Sequence, residues 1–281
     1  MQFRSVILIV SIFFLVACSA LLGTGTMKLY DLEKDRIVAG RQALARLQAA
    51  RIVLVGEQHT NQWHHQAQLD VVQTLHQAGA NVAIGLEMFR HDRQSDLDGW
   101  ISGRIIEADF KSLYLENWSY DWQFYRAIFL YARENRIPMV GLNVAPEVSS
   151  QVARHGFESL SRSQRGHVDE ITCNIPPEHR EYLRRAHEAH AHGQLDFEHF
   201  CQAQLLWDAA MAAHALHYLE QHQERIMVLL AGSGHARKMG IPAQLRQRTG
   251  WPWVVVLPET PGVFEPQWVT AEDADFLFLG Y

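Results

Sequence analysis

The sequence predicts an α/β fold, a mostly parallel sheet flanked by helices, and three features predict it. Short, continuous apolar runs recur along the chain, as strands buried on both faces require. Longer stretches with apolar residues three and four apart lie between most of them, the spacing of amphipathic helices. Their alternation implies strand–helix–strand units with right-handed crossovers.

The first strand is Ile52 to Val55, ending in Gly56. The second is Asn81 to Leu86, ending at Glu87, and the third is Pro138 to Leu142, ending at Asn143. The fourth is Ile226 to Leu230, followed by Ala231-Gly232-Ser233-Gly234-His235, and the fifth is Trp253 to Leu257, followed by Pro258-Glu259. Trp63 to Gln77 carries Ala67, Val71 and Leu75 at four-residue spacing, with Asn61 placed to cap its start. Asp121 to Asn135 carries Phe124, Ile128 and Tyr131 at similar spacing, and Ile241-Pro242 opens a helix that Gly250 closes. From about 146 to 223 no strand is evident. Pro176-Pro177 opens a helix that runs to about His192 and stops at Gly193, and a second runs from about Asp196 to Gln221. This stretch reads as a helical insertion between the third and fourth strands.

The N-terminus reads differently. Arg4 precedes an apolar run, Val6 to Ala17, broken only by Ser11. A membrane span needs roughly 20 residues, so this run suits the apolar centre of a signal peptide. Leu15-Val16-Ala17-Cys18 resembles the lipobox of bacterial lipoproteins, which implies cleavage before Cys18 and a lipid on that residue. The organisation expected is a signal peptide over 1–17, a lipidated tether over 18–28 and a single α/β domain over 29–281. Ser19, where Asp would retain the protein at the inner membrane, points by the same resemblance to the outer membrane. Cys173 and Cys201 remain as an even pair in an oxidising compartment, and a disulfide is expected between them. The net charge of −6 argues against nucleic acid as a partner.

The polar residues that draw attention stand at the carboxyl ends of the apolar runs: Glu57, His59, Glu87, Asn143 and His235. That edge of a parallel sheet is where ligands bind. Taken singly, such residues more often cap helices or brace loops, so the weight rests on the edge they share. Glu57, His59, Glu87 and His235 suit a divalent metal. Without a metal, a carboxylate-oriented histidine suits general base catalysis. Gly232-Ser233-Gly234-His235 does not match the nucleophile elbow of hydrolases, because His stands at the last glycine position. His187, His190 and His192 cluster near the end of the first inserted helix, where they suit haem or a metal, or simply complement the helix dipole.

Five blocks carry a family resemblance: Arg51 to His59, Ala83 to Phe89, Ile137 to Asn143, Phe200 to Ala212, and Leu230 to Pro242. Together they resemble the ChaN-like family. The resemblance implies an exported lipoprotein of iron and haem acquisition, with a parallel sheet, a smaller helical part, a tyrosine ligand to haem, and haems facing each other across a homodimer. The tyrosine chosen is Tyr182, in the insertion near several histidines, with Tyr114, Tyr120 and Tyr125 as rivals. Haem-ligand candidates thus include Tyr182, His187 and His190. No Cys-x-x-Cys-His occurs, so the haem expected is b-type and non-covalent. The wider superfamily includes Tiki-type metalloproteases and erythromycin esterases, which implies an alternative: a metal-dependent hydrolase using Glu57, His59, Glu87 and His235.

Overall fold

The computed structural model describes residues 27–166, 168, 170–190 and 195–280, with backbone alone at 39–41, 189 and 190. Cys18 and the expected signal segment lie outside the described residues. Among the described residues there are eight strands: β1 (Lys28–Asp31), β2 (Arg36–Ala39), β3 (Ile52–Val55), β4 (Val82–Arg90), β5 (Met139–Asn143), β6 (Ile226–Leu230), β7 (Trp253–Pro258) and β8 (Phe276–Phe278). They form one sheet in the order β2-β1-β8-β7-β3-β6-β4-β5. Neighbours from β8 to β5 are parallel, whereas β1 runs antiparallel to both β8 and β2. The sheet is therefore mixed, and the expectation of a mostly parallel sheet is corrected. The antiparallel margin escaped the sequence reading because its strands are three or four residues long and β2 leaves Ile37 60% exposed. β1 and β2 carry no continuous buried run, and β8, though buried throughout, is only three residues long.

The central strands show why the apolar runs are unbroken. Val53 and Val55 of β3 and Val228 and Leu230 of β6 point into one core layer with helices Gln62–Gln77 and Trp122–Glu134. Ile52 and Leu54, Met227 and Leu229 point into the opposite layer, against helices Phe197–Gln221 and Ile241–Arg248. Side chains alternate across a strand, so a sheet covered on both faces needs an apolar residue at every position. Burying each such side chain is worth roughly 1.5–3 kcal/mol.

Asn61 acts as the expected cap, and Asp121 and Asp196 cap two further helices in the same way. Asn61 accepts from the Trp63 amide, Asp121 from Gln123 and Asp196 from His199, each supplying an acceptor for an otherwise unpaired N–H. Two boundaries differ. Met27 is buried and Lys28 opens β1, so the span assigned to a tether overlaps the first strand. Strand β4 does not stop at Leu86 but continues through Glu87 to Arg90.

Between β5 and β6 lie helices Pro146–His155, Arg162–Arg165, Pro177–His190 and Phe197–Gln221. A third apolar cluster, with Val152, Phe157, Leu183 and Leu206, holds them together. A disulfide joins Cys173 to Cys201 with Cα atoms 5.8 Å apart. It ties the segment leading into Pro177–His190 to the long helix. Among the described residues no helix is long and apolar enough to cross a membrane.

Candidate functional site

The parallel register of β3, β4 and β6 sets out the site. Val55 and Leu86 both pair with Leu230, so the three strands reach the same level together. Glu57 follows two residues after β3, Glu87 stands one residue past the last β4–β6 pairing, and the one-turn helix Ser233–Ala236, which carries His235, follows β6. They meet at one cavity of about 810 Å³, with Glu57, His59, Glu87 and His235 among its lining. Its walls are Trp118, Tyr120, Tyr182, Leu183, Phe200 and Trp207.

Two carboxylate–imidazole pairs stand there. Nδ1 of His59 lies 2.5 Å from Oε1 of Glu57, and the Tyr125 hydroxyl donates to the same oxygen at 3.4 Å. The other Glu57 oxygen, Oε2, has no hydrogen-bond partner among the described residues, although Nε2 of His65 lies 3.9 Å away. Nδ1 of His235 lies 2.7 Å from Oδ1 of Asp208, which helix Phe197–Gln221 carries. Nε2 of His235 is 3.8 Å from Oε1 of Glu87, whose Oε2 accepts the Gly232 amide at 2.6 Å. In both pairs the carboxylate fixes the ring through Nδ1 and leaves Nε2 on the far side of the ring. Aromatic rings hold the imidazoles in turn: His59 meets Trp118 edge-on at 5.0 Å and Tyr120 at 4.7 Å, and His235 meets Trp207 edge-on at 5.7 Å.

Burial alone would push both histidines towards neutrality. At His59 the hydrogen bond to Glu57 and the charges of Glu57 and Glu87 outweigh it and raise the pKa above the ordinary range. At His235 the charges of Asp208 and Glu87 and the bond to Asp208 overcome burial and push it up to about 9. Burial raises Asp208, and the facing imidazole opposes that rise. With two carboxylates on one ring, the pair is imidazolium and carboxylate at neutral pH. His179, also on the cavity wall, is pulled down to about 4 by burial and by the charges of Arg237 and His235, and so is neutral.

Of the expected site residues, Glu57, His59, Glu87, Asn143 and His235 all line this cavity. Asn143 is committed to the backbone: it donates to the Glu87 carbonyl at 2.8 Å and accepts from the Val144 amide at 2.8 Å. Among the described residues no three His, Cys, Asp or Glu side chains are gathered as a metal-holding set. Ser233 is buried, and its hydroxyl has no hydrogen-bond partner among the described residues.

Tyr182 lines the cavity and approaches the Gly234 backbone so closely that a Cβ there would lie 2.5 Å from the phenol oxygen. Tyr120 lines it too, whereas Tyr114 and Tyr125 are wholly buried in the core. Nε2 of His187 lies 2.8 Å from the Leu195 carbonyl, and its ring packs against Phe197 and Phe200, outside the cavity lining. The His190 side chain and His192 lie outside the described residues.

Asp208 was missed. It sits in the apolar stretch Leu205-Leu206-Trp207-Asp208-Ala209-Ala210 and is 3% exposed. A carboxylate on an apolar helix face is costly to bury unless paired, and that anomaly was the available signal. Trp118 and His179 gave none, because a lone aromatic or histidine is ordinary core material.

The fold and site define an α/β protein with a ligand cavity at the carboxyl edge of its parallel strands, walled by an inserted helical segment. Residues 43–245 match the family described as "Haem-binding uptake, Tiki superfamily, ChaN", and the chain belongs to that family. Among solved structures it is similar to one described as cofacial heme binding to ChaN of Campylobacter jejuni, with a TM-score of 0.70 and 19% identity, over 90% of this chain and 96% of that one. The type III effector HopBA1 follows with a TM-score of 0.51 and 13% identity, over 85% of this chain and 91% of that one. A mutant of the erythromycin esterase EreC in its open conformation gives 0.49 and 13%, over 89% and 81%. No curated protein matches the sequence.

Proposed function

We propose that this protein binds haem in the sheet-edge cavity, non-covalently, with the phenol of Tyr182 as iron ligand and Tyr120 as its rival. The observation that carries the reading is a cavity with two cavity-lining tyrosines and aromatic walls in a member of this family. Phenolate is a strong ferric ligand, and aromatic walls suit the faces of a porphyrin. Bound haem would supply a ferric centre open to an oxygen or nitrogen donor. The solved ChaN of Campylobacter jejuni, which binds haem cofacially, supports the reading by family, and a homodimer formed on haem binding belongs to the same proposal. Haem titration of the purified chain followed by absorption tests it. Wild type is expected to give a high-spin ferric spectrum with a phenolate charge-transfer band, and Tyr182→Phe to lose that band. If Tyr182→Phe keeps both band and affinity while Tyr120→Phe loses them, the ligand is Tyr120. If neither wild type nor variant changes the haem spectrum, the haem reading falls.

The role proposed is a membrane-anchored lipoprotein of iron and haem acquisition, held at the outer membrane through a lipid on Cys18. Its support is the lipobox-like Leu15 to Cys18. Cys18→Ala is expected to take up no palmitate label in cells, and equal labelling of wild type and variant would refute the anchor.

A second reading rests on a separate observation, the two imidazoles each oriented by a buried carboxylate and both near Glu87. That arrangement suits acid–base hydrolysis, with a metal as an optional addition. Turnover of a model ester or peptide that His235→Ala abolishes would favour it, and assay with and without a chelator would show whether a metal takes part.

A further inference from the structure

A second cavity, of about 870 Å³, opens beside the first, and His179 belongs to the walls of both. The proposed haem site does not use it. Its walls come from the stretch 170–178, from helix Ile241–Arg248 and from the 268–273 loop. Trp268 stands on this wall 58% exposed, and among the described residues no ring or cation engages its indole. A single exposed apolar side chain means little by itself. Here it stands in a concave cleft among exposed polar side chains, one of which, Arg246, also lies 5.8 Å from the Trp253 ring centroid, and that is a different situation.

The polar walls divide into two sets. Arg237 pairs with Asp273, and the Lys238 ammonium donates to the Ala271 carbonyl at 2.7 Å and to Asp275 at 3.1 Å. Those cations are committed to holding the loop. Glu178, Arg246, Gln247 and Glu272 are exposed, and their side chains make no hydrogen bond among the described residues. One planar cation, one planar amide and two carboxylates therefore face a cleft beside an open indole.

The cleft carries charges of both signs in equal number, Arg237, Lys238, Arg246 and Arg248 with Glu170, Glu178, Glu272 and Asp273, which argues against a strongly anionic or cationic ligand. The other apolar side chains of the lining, Ile171, Ile175, Leu205 and Met239, are buried or half-buried, which leaves the indole as the open apolar surface and argues against an aliphatic chain. A pyranose ring fits both features. Its C–H face is apolar and lies flat on an indole, and its equatorial hydroxyls are neutral and need paired donors and acceptors around the rim. A tryptophan with one apolar face and a wet surround serves such a surface, and convergent polar groups fix its orientation. We infer that this cleft binds a saccharide chain, stacked on Trp268 and held at its hydroxyls by Gln247, Arg246, Glu178 and Glu272.

Calorimetric titration of the purified chain with a β-1,4-linked N-acetylglucosamine hexamer and with cellohexaose tests the inference. Saturable binding of at least one is expected. Trp268→Ala should weaken it at least tenfold and Gln247→Ala by less, while the thermal midpoint stays near that of wild type because both side chains are exposed. The haem titration should be the same in Trp268→Ala as in wild type, which separates failure here from failure of the haem reading. No binding of either saccharide, or equal binding by Trp268→Ala and wild type, overturns the inference.

Discussion

Glu57–His59 and Asp208–His235 are the same chemical pair closed over two very different lengths of chain. The first joins residues two apart in one loop, and the second joins residues 27 apart, one on a helix of the insertion and one on the one-turn helix after β6. The His59 side chain is 28% exposed, and that of His235 is 14% exposed. The local pair orders a ring at the cavity surface. The distant pair also fastens the inserted helix to the sheet, because its carboxylate has no other reason to be buried. One arrangement orders a cavity ring, and the other orders a cavity ring and fastens the architecture.

Removing the distant pair should therefore have the largest effect. Asp208→Ala leaves a buried imidazole facing Glu87 alone, and breaking a buried charge pair costs about 3–5 kcal/mol. Urea unfolding that shows a loss under 1 kcal/mol would mean that the pair does not fasten the insertion. The pH dependence sharpens the same point. His235 is raised from 6.5 to about 9 in the folded chain. Its stabilisation is fully present below about pH 6.5 and is lost as the pH rises through 9. The unfolding midpoint should fall over that window in wild type and fall less in Asp208→Asn.

The disulfide comes next. It clamps helix Phe197–Gln221, which carries Asp208, to the segment that leads into the cavity wall. Closing a loop of this size contributes about 3 kcal/mol. Reduction, or Cys173→Ala with Cys201→Ala, should lower stability by about that amount and raise the fraction of chains in which His235 titrates in the ordinary histidine range. Proton titration by NMR should show His59 unmoved by the same treatment. A shift of both rings together would show that the two pairs are not independent.

Glu57→Gln should have the smallest effect on stability, about 1 kcal/mol, since an amide keeps a hydrogen bond to His59 and is cheaper to bury than a carboxylate with one bare oxygen. Its signature is spectroscopic: the His59 pKa should fall, because Glu57 is the main group holding it up against burial. An unchanged His59 titration would mean that Glu87 holds that ring.

Much of this was legible before any coordinates. The runs at 52–55 and 226–230 had to be doubly covered strands, because every residue in them is apolar and the period of a strand puts alternate residues on opposite faces. Asn61 could be read as a cap from its chemistry and position alone. The short margin strands could not be read so, since three or four residues are too few to carry a pattern of their own. Tyr182 and His187 show a second limit. They stand on one helix five residues apart, yet one lines the cavity and the other bonds to the Leu195 carbonyl.

What the sequence determined by itself is what depends on neighbours along the chain: the alternating elements, their caps and the pair closed between Glu57 and His59. The sheet order, the partner of His235 and the choice between Tyr182 and Tyr114 as a cavity-lining group were decided only by the tertiary structure. Strand order and helix docking are set by the summed burial of faces contributed by distant segments. A carboxylate such as Asp208 becomes tolerable in an apolar helix only once the fold brings an imidazole to it.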